Sequence, residues 1–344
     1  MDKFGYRFSF GPWNIHEGAD PFGPIVRPSV QFEKKLVLLK ELGFDAMQFH
    51  DDDAVPDLDK LSPAEIREQA KAMRNKLTDL GLTAEFVAPR LWEHPITVDG
   101  AFTANDPKAR EYAIERSKKA VDIGREMGTD LMVIWLAREG TYLREAKDAV
   151  RATHHILEAV NTLIEYDSEL RIAIEPKPNE PMDLAYIPTI GHALALGFQT
   201  SHPERVGCLV ESAHAVLAGL DPSDEMAFAL AFDKLWSVHL NDQNGLKFDQ
   251  DRSFGSVDLR RAFNQVRVLE DNEFQKVGMV GLDVKAVRTQ PAEIATKHLS
   301  NSLKTFLALV EVVRSIDKED VDRLIEGLDY EELDLLIIKR LMGR

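Results

Sequence analysis

Short apolar runs alternate with long amphipathic ones along almost the whole chain, and this alternation limits the possible folds more than any other feature. The apolar runs are YRFSFGPW, DAMQFH, TAEFVAPR, DLMVIW, RIAIEP, RVGCLVE, LWSVHL and VGMVGLDV. Between them lie FEKKLVLLKELGF, PAEIREQAKAMRNKLTDLG, PKAREYAIERSKKAVDIGREMG, a helical stretch from Leu143 to about Ile164, IPTIGHALALGF, the weaker HAVLAGL and DEMAFALAFD, and DLRRAFNQVRVLEDN. A long helix from Pro291 to about Ser315 closes the series. Continuous apolar strands suit a parallel sheet covered by helices on both faces. Eight such units in 344 residues predict an α/β fold, a (β/α)8 TIM barrel. A doubly wound open sheet is the alternative. It is weakened because GPWNIHEG, after the first strand, lacks the glycine spacing of a dinucleotide-binding loop.

The barrel is expected over residues 1–315. Residues 316–344 read as a C-terminal helical tail without a partner strand. Its LDLLIIKRLM segment is apolar enough to need burial, on its own barrel or on a neighbouring subunit. A net charge of −16 argues against nucleic acid or an anionic membrane as partner, and suits cations. The single cysteine, Cys208, forms no internal disulfide and excludes a thiolate zinc site. No stretch approaches the ~20 apolar residues of a membrane span, and MDKFGYRFSFG lacks the apolar core of a signal peptide. A reducing, cytoplasmic compartment is the expectation.

In barrels of this class, chemistry sits at the C-terminal ends of the strands. The expected ends carry Trp13; His50, followed by Asp51, Asp52 and Asp53; Arg90, with Trp92 and His94 beyond; Trp135; Glu175; Glu211; His239; and Asp283. Glu175, Glu211, His239 and Asp283 come from successive strands and can converge on one cation. Three carboxylates and an imidazole suit Mg2+, Mn2+ or Co2+. A second set adjoins the first. His214 lies three residues after Glu211, on the same face if a helix starts there. Asp249 and Asp251 alternate in FDQD, and Glu211 would bridge the two ions. Singly, each of these reads more readily as a solvated acid or a helix-face histidine; together they favour two metals. The segment IAIEPKPNEP adds Lys177 and Glu180 on a proline-stiffened frame just past Glu175.

Long motifs at these positions resemble the D-xylose isomerase family: DPFG at 20–23, FHDDD at 49–53, FTAND at 102–106, REG at 138–140, IEPKPNEP, PTIGHALA, QNGLKFDQD at 243–251 and FGSVDLR. The resemblance implies an intramolecular oxidoreductase converting D-xylose to D-xylulose, or D-glucose to D-fructose, with two divalent cations per subunit. It implies a first metal on Glu175, Glu211 and Asp283, and a second on Glu211, His214, Asp249 and Asp251. It gives Lys177 a contact to the sugar O1 and His50, oriented by Asp53, a part in ring opening. Trp13, Trp135 and Phe22 would wall the pocket, with Phe22 reaching in from a second subunit of a homotetramer or homodimer; Trp92, placed just past the third strand, is a further candidate for the sugar-binding side.

Several positions depart from that family pattern. His239 stands where the family carries an aspartate ligand, which should favour Mn2+, Co2+ or Zn2+ over Mg2+. Ala88, Pro89 and Arg90 replace Thr-Thr-Asn, Leu136 and Ala137 replace Gly-Gly, and the tail is short. Arg90 adds a cation that either meets an anionic substituent or pairs with a nearby acid such as Glu93. A sugar epimerase of the wider barrel superfamily and a sugar-binding homologue without turnover are the alternatives.

Overall fold

Eight strands form where the apolar runs lie: β1 (Phe8–Phe10), β2 (Ala46–His50), β3 (Thr83–Ala88), β4 (Leu131–Trp135), β5 (Arg171–Glu175), β6 (Val206–Glu211), β7 (Leu235–Leu240) and β8 (Met279–Leu282). The computed structural model describes residues 2–344. Every strand pairs in parallel with its neighbours in chain order, and β8 closes on β1. The chain is therefore a closed (β/α)8 barrel, as the alternation predicts, and not an open sheet. Register pairs His50 with Ala88, Trp135 with Glu175, and Glu211 with His239. These residues end their strands, His239 one residue before the end of β7, so one rim of the barrel gathers them.

The outer layer is α1 (Phe32–Glu41), α2 (Pro63–Asp79), α3 (Pro107–Met127), α4 (Ala149–Tyr166), α5 (Ile190–Gly197), α6 (Pro222–Leu230), α7 (Leu259–Asp271) and α8 (Lys297–Arg314). Each turns an apolar stripe inward; in α4 it is Ala152, Ile156, Ala159, Val160 and Leu163. Two helices start later than their sequence pattern suggests. Tyr142 and Leu143 are exposed, residues 144–146 form a single 3-10 turn, and the Asp148 carboxylate accepts from Arg151 N at 3.1 Å, which fixes the start of α4. Residues 292–294 likewise form a separate turn before α8.

The barrel interior is filled by Phe86, Ala88, Leu131, Val133, Ala173 and Leu209. One acid hides in the apolar run of β3. Glu85 is buried and accepts from Ser9 Oγ, from Gln48 Nε2 at 3.2 Å and from Ser237 Oγ at 2.7 Å. Burial pushes its carboxyl up, and the three donors from other strands offset part of that cost. The tail forms α9 (Lys318–Glu326) and α10 (Tyr330–Leu341). It buries Leu324 and Ile337, and Asp334 pairs with Arg260 of α7 at 3.0 Å. Among the described residues, no helix is long and apolar enough to cross a membrane.

The loop after β1 is clamped from α8. His298 Nε2 donates to Asn14 O at 2.9 Å, and Asn14 Oδ1 accepts from Val284 N at 2.6 Å. Burial pushes the His298 imidazole down, from 6.5 to about 4. A histidine held below its unfolded value stabilises the fold at neutral pH. That contribution fades as pH falls from 6.5 towards 4, because the unfolded chain takes up the proton first. The loss amounts to ~3 kcal/mol. His298→Gln keeps a donor without a titrating ring. Denaturant melts of the variant across this pH range are expected to show a shallower acid slope than wild type. Equal slopes would assign the acid sensitivity to other groups.

Candidate metal centre

The strand-end residues meet at the barrel mouth. Glu175 and Glu211 end β5 and β6, His239 lies on β7, and Asp283 follows β8. Glu211 also precedes a short helix, Ser212–Leu217, which lifts His214 back over it. The His214 Nε2 atom lies 3.3 Å from Glu211 Oε1 and 3.2 Å from Asp249 Oδ2. His239 Nδ1 lies 3.4 Å from Glu175 Oε1 and 3.7 Å from Glu211 Oε2. Three groups offer ligand atoms that all lie within 4.8 Å of one another: Glu175, Glu211 and His214; Glu211, His239 and Asp283; Glu211, Asp249 and Asp251. Glu211 belongs to all three.

The electrostatics are those of a cation site. Burial pushes Glu211 up to about 7, and Asp249 and Asp283 beside it add to the rise. Burial and the neighbouring Asp249 also hold the Asp251 carboxyl well above the usual range. Glu175 goes the other way: burial is outweighed by the His239 and His214 imidazoles, which hold it down at about 2. Like charges packed this closely cannot all ionise without a counter-charge. Both ring nitrogens of His239, Nδ1 of His214 and Oδ1 of Asp249 are buried and make no hydrogen bond. Buried polar atoms without partners are costly. Carboxylate oxygens with imidazole nitrogens, arranged so, fit Mg2+, Mn2+ or Co2+.

A second ring of contacts orients these groups. Lys177 Nζ lies 2.9 Å from Asp249 Oδ2 and 5.4 Å from the centre of the Trp135 ring. Burial alone would lower the lysine, but Asp249 more than offsets it and raises it. Glu180 accepts from Asp249 N at 3.0 Å. Trp13 Nε1 donates to Asp283 Oδ1 at 3.0 Å. Two orienting residues escape a reading of the sequence. Asn241 donates to Glu211 Oε1 at 2.9 Å and Asp251 Oδ1 at 3.2 Å, while its own Oδ1 accepts from Ala213 N at 2.7 Å. Lys285 Nζ pairs with Asp251. Asn241 lies two residues past His239, the spacing that turns both to one side of a strand, and that alternation was its only signal.

A cavity of about 730 Å3 opens over these groups. Trp13, His50, Arg90, Trp92, Trp135 and Lys177 line it together with the seven acids and histidines. Asp53 sits behind His50, 3.1 Å from its Nδ1. Phe22 does not reach this cavity. It is 83% exposed at a loop tip, edge-on to Phe248 at 5.6 Å. Arg90 is present but not free. Its Nε lies 2.7 Å from Asp52, Nη1 3.2 Å from Glu93 and Nη2 3.4 Å from Asp53. The pairing with local acids, not the capture of an anionic substituent, is what the structure shows.

Comparison with known proteins follows the same geometry. Residues 36–300 match the family described as xylose isomerase-like TIM barrel. The xylose isomerase of Thermus thermophilus is 36% identical over 312 residues, spanning 89% of this chain and 79% of that enzyme. This chain belongs to the xylose isomerase-like TIM barrel family. Solved structures share the family fold at lower identity. A Sinorhizobium meliloti protein superposes with a TM-score of 0.63 at 19% identity, over 89% of this chain and 98% of that one. The 3-keto-D-glucoside 4-epimerase of E. coli gives 0.61 at 14%, over 87% and 99%. Membership of the family supports a sugar isomerase or epimerase. At these identities the two structures speak for the barrel alone.

Proposed function

We propose that this protein is a metal-dependent aldose–ketose isomerase acting on D-xylose. One observation carries the reading: Glu211 is shared by three adjoining ligand groups, with Lys177 and the Trp13–Trp135 walls over them. Glu175, Glu211, His239 and Asp283 would hold one cation, and Glu211, His214, Asp249 and Asp251 the other. When bound, such cations polarise sugar oxygens and stabilise developing negative charge. The protein's own groups do the rest. Lys177 presents a fixed cation to O1 of the open chain. Trp13, Trp92 and Trp135 keep water from the reacting carbons. In the net reaction a hydride moves from C2 to C1 and a proton from O2 to O1, so aldose and ketose interconvert without a co-reactant.

The test is conversion of D-xylose to D-xylulose by metal-stripped protein, with Mg2+, Mn2+ and Co2+ returned separately. Turnover restored by a metal is the expected result. Folded protein that binds metal but converts no xylose would sink the assignment. One feature favours an epimerase instead: His239 supplies an imidazole where the resemblance implies a carboxylate. An epimerase would exchange a carbon-bound proton with solvent, so deuterium entering the sugar carbon would decide for it.

The same reading includes a homo-oligomer. Phe22, Ile25 and Val26 crowd one loop and are all exposed, which suits burial against a second copy. Sedimentation of the full chain is expected to give a dimer or tetramer; a monomer at micromolar concentration would remove this part of the proposal.

A further inference from the structure

His50 offers one ring nitrogen to two competing neighbours. Its ring is held between Trp13, with centroids 4.3 Å apart, and Trp92, at 5.1 Å. On the Nδ1 edge lie Asp53 Oδ2 at 3.1 Å and Arg90 Nη2 at 2.8 Å. Nδ1 has a single in-plane position, filled by a proton or by a lone pair. A carboxylate there calls for the proton. A guanidinium calls for the lone pair, because it has no acceptor and does not lose its proton in a protein. Both contacts cannot be hydrogen bonds at once.

Geometry favours the arginine. Its contact is the shorter one, and its position is fixed by Asp52 and Glu93 and by the Trp92 ring, 5.7 Å from the guanidinium carbon. Asp53 loses nothing by yielding. Its Oδ2 already accepts from His50 N at 3.1 Å, and its Oδ1 faces Arg90. We propose that Arg90 holds His50 as the tautomer protonated at Nε2, so that the cavity meets an N–H donor and not a lone pair. Arg90 is then a positioning residue, acting through His50. On the isomerase reading, which this deepens, His50 donates a hydrogen bond to a sugar oxygen, the ring oxygen of a closed aldose being the natural acceptor. It does not draw the proton from the anomeric hydroxyl, as a histidine oriented by Asp53 alone would be placed to do.

Nitrogen-15 NMR of the histidine rings, in substrate-free protein under mildly alkaline conditions, reads the tautomer directly. His50 is assigned by its loss in His50→Gln. Wild type is expected to show Nδ1 as an unprotonated nitrogen and Nε2 as a protonated one. Arg90→Met is expected to exchange the two shifts, because Asp53 then has Nδ1 to itself. Asp53→Asn is expected to leave them as in wild type. A protonated Nδ1 in wild type, as the other tautomer or as imidazolium, overturns the proposal, and so does an exchange in Asp53→Asn. The wild-type reading needs only the His50→Gln variant to fold, for the assignment. It needs no turnover, so a failure to isomerise xylose would leave this result standing on its own.

Discussion

Glu211→Gln is expected to abolish metal-dependent turnover and to melt above wild type without metal but below it with metal. Glu211 contributes to all three ligand groups, so no other single residue touches as much of the site. Losing several kcal/mol of transition-state charge stabilisation corresponds to a fall in rate of roughly 10^3-fold or more. The stability effect has two signs. In chelator, the wild-type site confines Glu175, Glu211, Asp249, Asp251 and Asp283 in one buried cluster with too little positive charge. Removing the carboxylate shared by all three ligand groups relieves part of that repulsion, and a neutral amide fills the same space. Metal-free Glu211→Gln should therefore melt above metal-free wild type. With Mn2+ present the order reverses, since a ligand bound only by the folded state adds about 2.7 kcal/mol at a hundredfold excess over its Kd. Melting curves of both proteins, with and without Mn2+, read both halves. A variant whose melting temperature still rises with Mn2+ would show that Glu211 is no shared ligand.

The barrel was legible because parallel strands covered on both faces must be apolar throughout. A run such as LMVIW stands out from an amphipathic helix without any tertiary knowledge. The positions of the ligands were legible for a related reason. Strands that pair in parallel and in order end on one rim, so Glu175, Glu211 and His239 are neighbours as soon as the fold is known. What stayed hidden depends on how far side chains reach between elements. Glu85 reads as an interruption of an apolar strand, and nothing local reveals that Ser9, Gln48 and Ser237 surround it. Arg90 follows β3, yet it spends its guanidinium on Asp52, Asp53 and His50 at the end of β2. Its local partner Glu93 could be read from the sequence, but partners 37 to 40 residues away leave no periodicity to read. The helix starts at Ala149 and Lys297 were missed because the preceding residues are good helix formers in composition, while exposed apolar side chains and separate 3-10 turns interrupt the pattern.

His239→Asp is expected to move metal preference towards Mg2+. In the wild-type protein His239 sits among Glu175, Glu211 and Asp283, with the Phe86 ring 5.8 Å away on the barrel side. An imidazole offers a neutral, softer nitrogen; a carboxylate offers a charged, hard oxygen. Mg2+ gains more from the exchange than Mn2+ or Co2+, because it binds imidazole least readily of the three. A shift on the order of tenfold in the Mg2+ to Mn2+ affinity ratio follows from adding one carboxylate to a hard-cation site. Displacement of Mn2+ by Mg2+, followed through the Mn2+ paramagnetic signal, measures that ratio in both proteins. The metal-free variant has a cost that the loaded one does not. Burial disfavours a charged His239, but Glu175 and Glu211 outweigh it and hold the ring protonated, so the imidazolium partly balances the cluster. Exchanging it for an acid removes one positive charge and adds a negative one, and metal-free His239→Asp should melt below metal-free wild type. Glu211→Gln and His239→Asp thus push the metal-free protein in opposite directions through the same cluster. If the affinity ratio is unchanged while the metal-free melting point still falls, His239 balances charge beside the cation without binding it.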